Sequence, residues 1–66
     1  MDSVSAVAAS IRAARKDAGL TQEDLANLAE TSERTIRAIE TGTGNPSLRA
    51  VAAAANVLGL RLTATR

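Results

Sequence analysis

The sequence predicts an all-α domain of four helices with a short β-strand at its C-terminus. Three observations lead there. Apolar residues recur at spacings of three and four along four separate stretches, which places each set on one helical face. Hydroxyl, Asp or Asn residues stand where these stretches begin, and Gly19 and Gly59 stand where the first and last of them end. The final residues change to strict alternation, the period of a strand.

At 66 residues the chain has room for one domain and one small core. The expected division is a helical domain over residues 1–59 and a dimerisation strand over 60–66. Cysteine is absent, so neither a disulfide nor a thiolate metal site can staple the fold. Tight helix packing or a partner subunit must serve instead. Alanine dominates the apolar fraction, which suits closely approaching helices. With neither His nor Cys, the commonest general base and the usual zinc ligands are missing. No enzyme, no metal and no cofactor is expected. The acids Glu23 and Asp24 stand at a helix start, where capping and the helix dipole account for them. With no Phe, Tyr or Trp there is no stacking platform for single-stranded nucleic acid. No apolar run is long enough for a bilayer, and Arg12 and Arg15 interrupt any signal-peptide pattern, so a cytoplasmic location without membrane contact is expected. Net charge is only +1, so any nucleic-acid binding must come from a local cluster. Seven of the eight basic residues are arginine, the residue suited to phosphate and guanine.

Helix one is expected from Met1 to Ala18, with Val4, Val7, Ile11, Ala14 and Ala18 inward, Asp2 or Ser3 as cap and Gly19 as the left-handed end. Leu20 then precedes Thr21, whose hydroxyl can cap helix two, Gln22 to Ala29, with an acid three residues on. Its apolar face is Leu25, Leu28 and Ala29, and Ala26 is small where helices must approach. Glu30 and Thr31 make a turn. Ser32 caps helix three, which runs to Glu40 with Ile36 and Ile39 inward. The stretch Thr41 to Pro46 is a connecting loop. Asn45 is read as the cap of helix four with Pro46 at its first position. Leu48, Val51, Ala52, Ala55 and Leu58 form its inner stripe. In the tail, Leu60, Leu62 and Ala64 alternate with Arg61, Thr63 and Thr65. A lone strand has no ladder partner in its own chain, so a second subunit can pair with it about a two-fold axis; the alternation begins directly after the helix end, which favours pairing over a frayed terminus.

Two capped helices joined by a short turn, with one helix before and one after, form a helix-turn-helix arrangement, in which the second helix of the pair enters the major groove. That helix is residues 33–40. Away from its apolar stripe lie Glu33, Arg34, Thr35, Arg37 and Ala38. Arg34 and Arg37 suit guanine O6 and N7, Glu33 suits cytosine N4, and Thr35 suits a phosphate or a thymine methyl. Taken as isolated charges, the arginines favour the plainer reading of a solvated face paired with Glu33, Glu30 or Glu40.

From about Ile11 to Leu62 the chain resembles the XRE, or lambda-repressor-like, helix-turn-helix family. Arg15, Gly19-Leu20-Thr21-Gln22, Leu25-Ala26, Ser32, Ile36, Glu40, Gly42, Asn45-Pro46-Ser47-Leu48 and Leu58-Gly59-Leu60 carry the likeness. It implies that Gln22 donates to a phosphate and braces the start of helix three. It also implies a DNA-facing set of Gln22, Ser32, Glu33, Arg34, Thr35, Arg37 and Ala38, joined by Thr43, Gly44 and Asn45 in the loop and Arg49 on helix four. Arg15 and Glu40 match a structural salt bridge. The turn departs from the family: the usual glycine is Glu30, and the usual Val or Ile is Thr31. Either Glu30 is held at positive φ, at a cost on the order of 1 kcal/mol, or the turn is built differently. The tail LGLRLTATR resembles HipB-type antitoxins, in which a C-terminal strand pairs between subunits.

The resemblance implies a homodimeric repressor that binds double-stranded DNA at a palindromic operator. The alternative is a HipB-like antitoxin that neutralises a HipA-type kinase toxin and autoregulates its operon. A small adaptor without DNA affinity is the third possibility.

Overall fold

The computed structural model describes residues 3–66. Four helices follow one another: α1 (Ser3–Asp17), α2 (Gln22–Leu28), α3 (Glu33–Thr41) and α4 (Leu48–Val57). No strand occurs among the described residues, and residues 60–66 carry no regular structure. The cap expected of Asp2 lies outside the described residues. None of the described helices is long and apolar enough to cross a membrane.

Helix α3 is central and packs against α1, α2 and α4. The core is Ile11, Leu25, Ala26, Ile36, Ile39 and Ala54, with Val7, Ala50, Val51, Val57, Leu58 and Leu60 packed against it. Small side chains at Ala26 and Ala54 allow the helices to come close around Leu25 and Ile36, neither of which is exposed at all.

All four helices end in the same way. A residue at positive φ turns the chain, and the amide after it reaches back five residues: Leu20 to the Arg15 carbonyl, Thr31 to Ala26, Thr43 to Ala38 and Leu60 to Ala55. This is the Schellman arrangement, which needs a left-handed residue. Glycine fills that position three times, at φ 73°, 70° and 75° for Gly19, Gly42 and Gly59. At the end of α2 it is Glu30, at φ 56°.

Several sequence expectations need correction. The inner face of α1 is Ala8, Ile11 and Arg15, while Val4 is 57% exposed and Ala18 is exposed. At 1.5 Å per residue α1 is about 22 Å long and its partners about 10–15 Å, so its ends overhang the core. In α2 the buried pair is Leu25 and Ala26, which turns Leu28 outward to 58% exposure. The cap of α4 is Ser47, not Asn45: its Oγ accepts the Ala50 N–H at 3.1 Å, so Pro46 precedes the helix instead of opening it. Leu48 therefore falls in the first turn, ahead of the residues that meet the core, and is 77% exposed. Ala54, absent from the expected stripe, is fully buried.

Candidate nucleic-acid interface

Helix α3 is fixed at both ends. At its start the Ser32 Oγ accepts the Thr35 N–H at 3.0 Å and lies 2.9 Å from the Thr35 hydroxyl. Near its end Glu40 is buried. The Arg15 Nε donates to Glu40 Oε2 at 2.6 Å and Nη2 to Oε1 at 3.0 Å, in the two-pronged geometry favoured by guanidinium and carboxylate. A third donor, Nη1, reaches the Leu20 carbonyl at 2.8 Å. The hydrogen bond to Glu40 holds the Arg15 guanidinium above its usual pKa, against burial, which acts the other way. Sequence reasoning missed the Leu20 carbonyl, although its place just after the Gly19 cap brings it to the end of α1.

Gln22 joins the same cluster. Its Nε2 donates to Glu40 Oε1 at 3.3 Å. The brace is thus at the last turn of α3, not at its start as the family resemblance implied. A short turn joins the end of α2 to the start of α3, so the start of α2 comes beside the far end of α3. Thr21 and Asp24 hold that start in a reciprocal capping box, with the Asp24 N–H on Thr21 Oγ1 at 3.0 Å and the Thr21 N–H on Asp24 Oδ2 at 2.9 Å. The Thr21 backbone N–H on the ionised carboxylate, helped by the Thr21 hydroxyl, holds Asp24 below its ordinary pKa.

The outer side of α3 is open to solvent. Arg34 and Arg37 are exposed, and Glu33, Thr35 and Ala38 are half-buried. Arg37 Nη2 donates to Glu33 Oε1 at 3.3 Å, a pair one helical turn apart with 58% and 43% exposed side chains. No ion pair engages Arg34 among the described residues. It stands on the side of α3 opposite Ile36, where its five donors face outward.

The loop after α3 closes over Ala38. A Cβ built on Gly44 would lie 3.6 Å from the Ala38 Cβ, and Ala38, Thr43, Gly44 and Asn45 line one shallow groove with Val4, Val7 and Pro46. Among the described residues the amides of Gly44 and Asn45 have no acceptor, and they can meet a phosphate. Thr43 is tied into the end of α3. Its N–H is spent on the Ala38 carbonyl at 3.1 Å, and its hydroxyl lies 2.7 Å from that of Thr41. The Thr41 hydroxyl also donates to the Arg37 carbonyl at 2.8 Å, with the Ala38 carbonyl at 3.3 Å, so the two threonines join one network at the end of α3. Thr41 itself was not foreseen from the sequence, although two threonines flanking a helix-ending glycine are a visible signal. Arg49, in the first turn of α4, is exposed and stands apart from the walls of this groove.

The three tail residues expected at a dimer interface do not behave alike. Leu60 is half-buried against the core and its N–H closes α4 on the Ala55 carbonyl at 2.8 Å. That amide is therefore engaged within its own chain. Leu62 and Ala64 are exposed.

A sequence model described as helix-turn-helix matches residues 11–64. No curated protein matches the chain.

Proposed function

Because the chain belongs to the XRE, lambda-repressor-like helix-turn-helix family of DNA-binding regulators, we propose that it is a homodimeric repressor of a palindromic operator, with α3 in the major groove of each half-site. The observation that carries this reading is the contrast between the two sides of α3. One side is locked through Glu40 to Arg15 and Gln22, while the other presents Arg34, Arg37 and Glu33 to solvent. A rigidly held helix with an unpaired arginine facing outward suits guanine recognition by a bidentate bond. The free Gly44 and Asn45 amides and the Arg49 side chain supply phosphate contacts, which position the protein without reading sequence. Two subunits place two such helices about 34 Å apart along the duplex, or a multiple of that distance.

The second subunit is supported by the exposed, alternating segment from Arg61 onward. The likeness of that same segment to HipB-type tails supports the second reading, an antitoxin that binds a kinase toxin of HipA type. Co-purification with the product of a neighbouring kinase gene is its test. The repressor reading is tested by selecting bound duplexes from a random pool. Enrichment of two inverted half-sites is the expected result, and recovery of unenriched sequence overturns it.

A further inference from the structure

The outer face of α3 carries an acid in contact with one of its two arginines, an arrangement that plain phosphate attraction does not need. We propose that Glu33 determines specificity by gating Arg37: it releases the arginine to a phosphate only where the base pair beneath Glu33 offers an amino donor. The proposal rests on the DNA-binding reading above.

The geometry is a single hydrogen bond, Arg37 Nη2 to Glu33 Oε1 at 3.3 Å, between two largely exposed side chains. Such a pair is weak, and a phosphate can replace the carboxylate as partner of Arg37 at little cost. What opposes the exchange is the bare Glu33 carboxylate that it leaves against a polyanion. The cost vanishes where the major groove presents cytosine N4 or adenine N6, because the carboxylate then accepts from that amino group. One base contact and one phosphate contact are therefore gained together or not at all. Arg34, with no such partner, is always available. Glu30, an exposed acid close to the start of the same helix and in no ion pair among the described residues, provides an internal comparison.

The experiment titrates the full chain against a random-sequence duplex and against the duplex selected from a random pool, across a salt series. Wild type, Glu33→Gln, Arg37→Ala, the double variant and Glu30→Gln are compared. Glu33→Gln is expected to tighten binding to the random duplex several-fold and to steepen log K against log salt by about 0.9, the increment of one phosphate contact. Its discrimination at one base pair of the selected duplex falls. In the Arg37→Ala background the same substitution does neither, and Glu30→Gln leaves the slope as in wild type. A wild-type slope for Glu33→Gln, or a gain that persists without Arg37, overturns the gating while leaving DNA binding intact. Failure of the wild-type chain to bind any duplex at low salt overturns both.

Discussion

Arg15 and Glu40 lie 25 residues apart in the chain and meet in two hydrogen bonds, Nε to Oε2 at 2.6 Å and Nη2 to Oε1 at 3.0 Å. Their side chains are only 10% and 1% exposed. The pair ties the end of α1 to the end of α3 and so sets how the outer face of α3 is presented.

Removing one partner of a buried pair leaves the other charge unpaired, which costs about 3–5 kcal/mol. A core of this size rarely supplies more than about 3–5 kcal/mol in all. Glu40→Ala is therefore expected to leave much of the chain unfolded at room temperature. The combined Arg15→Met, Glu40→Leu variant is expected to stay folded, because it removes both charges and keeps apolar volume. Circular dichroism in urea measures both. A folded Glu40→Ala with an unchanged midpoint would show that Arg15 finds enough solvent or other partners to stand alone.

Glu30 holds at the end of α2 the left-handed conformation that Gly42 holds at the end of α3, at φ 56° against 70°. A side chain there costs roughly 1–2 kcal/mol through its Cβ, and among the described residues no hydrogen bond or ion pair of the Glu30 carboxylate offsets it. Glu30→Gly is expected to raise stability by about 0.5–1 kcal/mol, part of the gain being returned by the freer unfolded chain. Glu30→Ala keeps the Cβ and is expected to gain nothing. Equal melting curves for the two variants would show that the effect at this position is charge and not backbone.

Much of this fold is visible in local signals. Thr21 and Ser32 mark helix starts because their hydroxyls face an amide three residues on, and the Ile36–Ile39 spacing marks the buried side of α3. Local signals fail where two residues compete for one role. Asn45-Pro46 and Ser47 each make a sound start for α4, and only the Ser47 bond to Ala50 decides between them. Leu25 with Leu28 and Leu25 with Ala26 are both consistent faces for a helix of seven residues; packing against α3 selects the second. The Gln22–Glu40 contact spans 18 residues, and no pattern in the sequence states which end of α3 it reaches. At the turn, the sequence allows a left-handed Glu30 or a different construction. The bond from the Thr31 amide to the Ala26 carbonyl requires the first.

The capping box makes part of the stability depend on pH. Asp24 accepts the Thr21 N–H and is held below its ordinary pKa in the folded chain. Its contribution is therefore complete above the unfolded carboxylate value, near pH 4, and is lost as pH falls through the lower folded value. The melting temperature of wild type is expected to exceed that of Asp24→Ala at neutral pH and to converge toward it on acidification. A constant gap across that range would mean that the carboxyl charge contributes nothing and that the loss comes from the side chain alone.

Arg34 and Arg49 are both exposed and in no ion pair among the described residues, but are expected to act differently on DNA. Arg34→Ala should cost about 1–3 kcal/mol on the selected duplex and relax preference at one base pair. Arg49→Ala should weaken all duplexes alike and lower the salt slope by about 1. Binding titrations on selected and random duplexes separate the two patterns. If Arg34→Ala weakens both duplexes equally, Arg34 is a phosphate contact and the base-reading role falls to other residues.

The tail offers a dissection that the bare alternation of its residues does not suggest. Leu60 alternates with Leu62 and Ala64, yet its side chain packs on the core and its amide closes α4. The amide donors of an intermolecular strand are therefore expected from Arg61 onward. Deleting residues 61–66 is expected to leave the helical signal intact and to convert a sedimenting dimer into a monomer. Leu60→Ala is expected to lower stability by about 2–4 kcal/mol, toward the low end because the residue is only half-buried, with any change in assembly following from unfolding. Sedimentation at several concentrations, read beside the melting curve of each variant, distinguishes the two losses. A dimer that survives the deletion would move the subunit interface off the tail, onto surfaces such as those around exposed Leu28 or Leu48.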